Sequence, residues 1–278
     1  DTLVEGTDAR AEIYRKLRGL RDRYADLIRQ RYPDIPRRVS GYNLDELLPE
    51  KGFNVARALV GSEGTLVVVL EATVRLIPSP PARTLVVLGY RDVFQAADHV
   101  PEIMKHHPVG LEGLDDRLVG DMQIKGLNVS DISLLPPGRG WLLVEFGGKD
   151  KQEADAKGRE LIAGLDGNPD APAAKLFDDL AQEKEVWKIR ESGLGATAHI
   201  PGRRETWPGW EDSAVAPEKF GRYLREFRKL LSRYGYDCAM YGHFGQGCLH
   251  CRIDFELTTA AGVAKWRAFL MDAADLVA

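Results

Sequence analysis

The sequence is poor in the features that mark several common classes. Its 278 residues hold three cysteines, Cys238, Cys248 and Cys251, all in one short segment. So few thiols, so close together, exclude a disulfide scaffold and suit a reducing, cytoplasmic setting. No apolar run nears the roughly 20 residues that cross a bilayer, so no transmembrane segment is expected. No signal-peptide pattern is present. Basic surplus is missing too: 38 Lys and Arg against 42 Asp and Glu leave a net charge of −4, which argues against a nucleic-acid partner. The arginines over 9–38 alternate with acids and read as a solvated helix face. Internal repeats and low-complexity tracts are absent. The chain opens on Asp1 without a methionine and stops inside a helical pattern. Both ends read as cuts, which makes the missing parts of its own chain expected partners.

What is there is a globular composition, 44% hydrophobic and 29% charged, enough for one or two domains with working cores. Ile13, Leu17, Leu20, Tyr24, Leu27 and Ile28 recur at helical spacing and predict a helix over 8–32. A turn through Ser40, Gly41, Tyr42 and Asn43 follows. The glycine loop at 61–64 then runs into a β-branched stretch that predicts a strand at 65–77. Pro78-Ser79-Pro80-Pro81 is the clearest break and sets the domain boundary. Beyond it, strands are expected at 84–90, 109–113 and 141–146, and helices at 91–106, 150–165, 183–190 and 217–234. A loop is expected at 166–172, and 175–180 is ambiguous. Strand material surrounds the glycines of 238–255, and a last helix begins near Ala260. This β-α-β-β-α-β order with irregular insertions predicts an α+β fold, an antiparallel sheet with helices on one face.

Three segments carry chemistry. Gly61-Ser62-Glu63-Gly64-Thr65 offers glycines that let backbone amides approach a ligand. It is neither a Walker loop nor a Rossmann fingerprint, because it opens a strand and lacks the lysine; a tight turn is the plain alternative. In YGHFGQGCLHC, His243 and His250 are seven apart, which would put them on opposite faces of an unbroken strand. Gly245 and Gly247 can fold the chain so that the imidazoles converge as metal ligands; a pair of satisfied, half-buried histidines is the alternative. Cys248 and Cys251 lack the second pair that a zinc ribbon needs and do not open a helix as a redox pair would. They read as small side chains packed round a turn. Third, Arg190 ends a helix at a glycine-rich loop, where its fork could grip a carboxylate or cap helix carbonyls.

All three segments carry a family resemblance. ALVGSEGTLVVVLEATVRL, with SGYNLDELL before it, resembles the end of the FAD-binding domain of FAD-linked oxidases in the vanillyl-alcohol oxidase and para-cresol methylhydroxylase (PCMH) superfamily. HFGQGCLH is similar to the H-x-G-D-G-N-L-H motif of D-lactate, glycolate and D-2-hydroxyglutarate dehydrogenases, with Gln246 in place of Asp and Cys248 in place of Asn. The departures suit large bacterial proteins that fuse such an oxidase to an iron–sulfur module. Trp187-Lys188-Ile189-Arg190-Glu191 resembles that family's W-x-x-R-E stretch, and Glu211-Asp212-Ser213 its D-x-S-x-P stretch.

The resemblance implies residues 1–82 as the C-terminal part of a PCMH-type FAD-binding domain. It implies 83–278 as a ferredoxin-like FAD-oxidase C-terminal, or substrate, domain. Gly41, Tyr42, Gly61, Ser62, Glu63, Gly64 and Thr65 would meet FAD. His243 and His250 would bind zinc, iron or manganese, and Arg190 would hold the substrate carboxylate. The family's substrate lysine has no counterpart near Trp207 and Trp210, so Arg203 or Arg204 is the expected substitute. The family's third metal ligand and catalytic base lie in a Glu-His-Gly segment that these 278 residues do not contain, and this fragment alone is expected neither to hold FAD nor to be active. The implied reaction oxidises a D-2-hydroxy acid, first D-2-hydroxyglutarate, then D-lactate or glycolate, to the 2-oxo acid. Electrons would pass to an iron–sulfur cluster or another acceptor, with peripheral association to an inner membrane left open. Two other classes stay open: a flavin-free metal hydrolase using His243 and His250, and a non-catalytic binding module.

Overall fold

The computed structural model describes residues 2–39, 41–167 and 169–278; Asp1, Ser40 of the expected turn and Asn168 of the expected 166–172 loop lie outside the described residues. The chain divides into two compact units, one of Asp1–Asp34 with Arg38–Ile77, the other of Ile35–Arg37 with Pro78–Ala278.

The first unit is built on helix α2 (Ala9–Arg31), which a short α1 (Thr2–Glu5) precedes. Asp8 caps α2 by accepting from the Ala11 amide at 2.8 Å, and Arg29 and Arg31 complement the dipole in its last turn. Arg29 makes a two-pronged pair with Glu50, at 2.8 and 3.0 Å. Another short helix, α3 (Val55–Ala58), leads to the glycine loop. The strand expected at 65–77 does not form: no described residue makes a strand pairing with this stretch, and Val68, Leu70, Leu76 and Ile77 are more than four-fifths exposed. β-branched composition expresses a fit to a pleated, partly buried surface, and without a neighbouring strand it specifies nothing.

The second unit runs β1 (Ala82–Tyr90), α4 (Val93–Met104), β2 (Gly110–Asp115), α5 (Asp116–Lys125), α6 (Val129–Ile132), β3 (Gly140–Gly148), α7 (Lys151–Leu165) and β4 (Ala173–Phe177). It continues through α8 (Leu180–Glu191), α9 (Gly193–Thr197), β5 (Ser213–Ala214), α10 (Phe220–Tyr234), β6 (Tyr241–Gly242), β7 (Cys248–Leu249) and α11 (Ala260–Val277). The sheet order is β4-β1-β3-β2-β6 with every pairing antiparallel. Its first four strands have the ferredoxin-like arrangement, and β6 extends that sheet beyond β2.

Helices cover both faces of the sheet, not one. Val86, Leu88, Val144 and Phe146 pack against α4, α7 and α10. Leu85, Val87, Leu143 and Trp141 pack against Leu118 and Met122 of α5 and Val186 and Ile189 of α8. The cause is in β1 and β3, whose apolar residues occupy both parities, so each face needs a cover. Burying these central side chains stabilises the unit by about 1.5–3 kcal/mol apiece. The second cover comes from α5 and α8, charged helices whose apolar stripes are narrow.

Candidate active site

The segment 241–251 folds as a hairpin. Tyr241 and His250 exchange backbone hydrogen bonds at 3.2 and 2.6 Å, and a tight helical turn over Phe244–Gln246 makes the reversal. Gly247 closes it at φ +64°, where an added Cβ would lie 2.1 Å from the Val215 carbonyl oxygen. Only glycine meets both demands. Gly245 has a different part: its missing side chain makes room for Leu111 and Met104. The turn brings the rings of His243 and His250 edge-to-face with centroids 4.8 Å apart.

His243 also has a partner that the sequence did not reveal. In the β2–β6 register Gly113 faces Gly242 and Leu114 faces Tyr241, and the next step sets Glu112 across from His243. Nδ1 of His243 donates to Glu112 Oε1 at 2.7 Å, which leaves Nε2 as the free ring nitrogen. Glu112 shares the parity of Leu114 and so points to the face covered by α8. There its Oε2 lies 2.7 Å from Nη2 of Arg190. Arg190 also packs over the Tyr241 ring at 5.2 Å, and its buried Nε has no hydrogen-bond partner among the described residues. The visible signal for Glu112 was a lone interior charge in the strand Gly-Leu-Glu-Gly-Leu, since a half-buried acid in such a strand needs a partner.

His250 faces acids. Its Nδ1 lies 3.4 Å from Glu211 and 3.6 Å from Asp212. The Cys248 thiol points to Asp212 Oδ1 at 3.5 Å, so this cysteine does more than fill space round the turn. Among the described residues, Asp212, Cys248 and His250 place their ligand atoms within 4.8 Å of one another, a grouping able to hold a metal ion. Gln246 accepts from Arg37 at 3.2 Å, and Arg37 also lies 3.8 Å from Asp212. Burial, then the Asp212 charge, pushes the Cys248 thiol up to about 12. Burial likewise raises the Tyr241 phenol to about 12, against a hydrogen bond from Thr197.

Other expected residues lie apart from this group. Arg203 pairs with Asp121 at 2.6 Å and Arg204 with Asp254 at 3.6 Å. Both line a cavity of about 360 Å³ whose walls include Arg117 and Arg252 but neither histidine. Trp210 donates to the Tyr223 hydroxyl at 2.9 Å and stacks on Phe227, so it is a packing residue. In the first unit, Tyr42 and Thr65 join through their hydroxyls at 2.9 Å, which brings Gly41-Tyr42 and the glycine loop together. Gly61, Glu63 and Gly64 are exposed with positive φ, and space is open round both glycines. Such an edge fits a polar cofactor group approaching backbone. The amides of Ser62 and Thr65 are already used within the loop.

Residues 79–278 match the C-terminal domain of FAD linked oxidases. A D-2-hydroxyglutarate dehydrogenase of Pseudomonas putida is 32% identical over 266 residues, 91% of this chain and 26% of that protein. A D-2-hydroxyglutarate dehydrogenase of Escherichia coli is 28% identical, covering 86% of this chain and 24% of that one. A D-lactate dehydrogenase of Archaeoglobus fulgidus is 30% identical over 72% of this chain and 42% of its own length. Among solved structures, a 4-ethylphenol oxidase from Gulosibacter chungangensis matches 72% of this chain and 45% of its own, at 12% identity and a TM-score of 0.45. The chain therefore spans about a quarter of the D-2-hydroxyglutarate dehydrogenases it matches. With 200 of its 278 residues (79 to 278) matched, this chain belongs to the FAD linked oxidases, through their C-terminal domain.

Proposed function

We propose that the chain is part of a flavin-dependent dehydrogenase that oxidises a D-2-hydroxy acid, first D-2-hydroxyglutarate, to the 2-oxo acid. Residues 1–82 are then the end of its FAD-binding domain and 83–278 its substrate domain. The observation that carries this reading is the linked set of Arg190, Glu112, His243 and His250: a guanidinium and two imidazoles held together in a family of FAD-linked oxidases. The names of the relatives supply the substrate class.

Arg190 grips the substrate carboxylate through the part of its fork that Glu112 does not occupy, and its unpartnered Nε is a donor ready for that task. Glu112 keeps the guanidinium in place while fixing the tautomer of His243. His243 and His250 would hold a divalent cation, which would supply Lewis acidity toward the substrate hydroxyl. Gly41, Tyr42 and the 61–65 loop contribute one edge of the FAD site, and FAD when bound supplies the hydride acceptor. Electrons then leave to a separate acceptor, an iron–sulfur module being the candidate.

Anaerobic mixing of the full-length protein with D-2-hydroxyglutarate tests this reading. Loss of the oxidised flavin's visible absorbance is expected, faster than with L-2-hydroxyglutarate. A full-length protein without flavin, or a flavin that no D-2-hydroxy acid reduces, contradicts it.

A further inference from the structure

We propose that Asp212 and Cys248 join His250 as donors to the metal, which makes this a zinc centre with one sulfur ligand. The proposal rests on the reading of this hairpin as a metal site and deepens it by naming the donor set and hence the metal. Its basis is a match of distances. Zinc bonds of about 2.0–2.1 Å to nitrogen or oxygen and about 2.3 Å to sulfur, set tetrahedrally, separate the donors by roughly 3.3–3.6 Å. Cys248 Sγ lies 3.5 Å from Asp212 Oδ1, and His250 Nδ1 lies 3.6 Å from the same oxygen. All three ligand atoms fall within 4.8 Å of one another. Two of the triad's three edges thus have tetrahedral length before any ion arrives.

The backbone supports this placement. Cys248 and His250 straddle one residue of β7 and its continuation, and Ser213 of β5 pairs with Leu249 between them. That pairing sets Asp212 beside the two side chains, and Asp212 takes φ +53°, a conformation uncommon for a residue with a side chain. Cys248 is buried and Asp212 over a third exposed, so the face is closed on the sulfur side and open on the carboxylate side. Glu211, 3.4 Å from His250, adds a second carboxylate. Arg37 opposes a cation here. Its side chain is one-third exposed, however, and it already reaches Gln246, so it has somewhere to turn. Binding releases the Cys248 proton to solvent, because only the thiolate ligates. A sulfur donor favours zinc over manganese or magnesium, which prefer oxygen donors.

The test loads chelator-stripped full-length protein with zinc or cobalt(II). We expect one ion per chain and, with cobalt, a thiolate-to-cobalt charge-transfer band in the near ultraviolet. Cys248→Ser should remove the band and weaken zinc binding by at least about tenfold. Asp212→Asn, which keeps the size and shape of the side chain, should weaken zinc at least about tenfold and keep the band. If cobalt binds without the band, or both variants bind zinc within twofold of the unchanged protein, the sulfur-containing site is wrong and the two-histidine reading survives. If no ion binds, both are wrong. Flavin reduction by the hydroxy acid is a separate readout and stands or falls independently.

Discussion

Glu112 and His243 face each other across adjacent strands, carboxylate to Nδ1 at 2.7 Å, and the other oxygen of the same carboxylate holds Arg190. Removing Glu112 would strand a guanidinium whose side chain is only 12% exposed. Glu112→Ala is expected to cost about 2–3 kcal/mol in urea unfolding, somewhat below the cost of breaking a fully buried pair. Glu112→Gln keeps an acceptor for His243 and should lose about half as much. Equal midpoints for all three proteins would show that the pair contributes nothing.

Gly247 offers a purely steric test of the hairpin. Its φ of +64° and the Val215 oxygen 2.1 Å from an added Cβ oppose any side chain. Gly247→Ala is expected to destabilise by about 2–4 kcal/mol. Gly195→Ala, with open space round its Cβ and no positive φ, is the control and should stay within about 0.5 kcal/mol.

Asp115 carries a pH dependence. Burial raises its carboxyl from 3.8 to about 6, against hydrogen bonds from the Leu118 and Met240 amides and the charge of Arg228. Between those two values the folded state binds the proton and the unfolded state does not. This group's contribution to stability is therefore complete below pH 3.8 and is lost as pH rises to about 6. The loss is at most about 3 kcal/mol. Unfolding midpoints of the native protein and Asp115→Asn, followed over that window, should converge or cross in that direction. Parallel curves would contradict it.

Much of the second unit was legible. The helix at 217–234 showed itself through Phe220, Leu224, Phe227 and Leu231, all of them buried in the structure. The strands β1 and β3 were visible as apolar runs, because central strands of a covered sheet are apolar on both sides. The same fact held the clue to the second helical layer, but α5 and α8 mix charges into short stripes, so their periodicity was faint. The 65–77 stretch misled in the opposite way: strand composition is a promise of pairing, and no described residue pairs with it. In the site, His243, His250 and Arg190 were legible as residue types at motif spacing. Glu112 was not, since it reaches His243 across 131 residues and only the β2–β6 register brings them together. Asp212 beside Cys248 likewise depends on the β5–β7 pairing.

Arg190 is where substrate binding meets this network. Arg190→Lys keeps the charge but loses the fork, and should raise KM for a D-2-hydroxy acid about tenfold or more with little change in folding. A KM within twofold would assign Arg190 to structure alone.

The most direct measurement is the rate at which D-2-hydroxyglutarate reduces the flavin in a single turnover, compared between the full-length protein and Arg190→Met. Rapid bleaching is expected in the unchanged protein and a loss of at least about a hundredfold in the variant at low substrate, where about 3 kcal/mol of carboxylate binding is removed. Equal rates, or no bleaching in either protein, would contradict it.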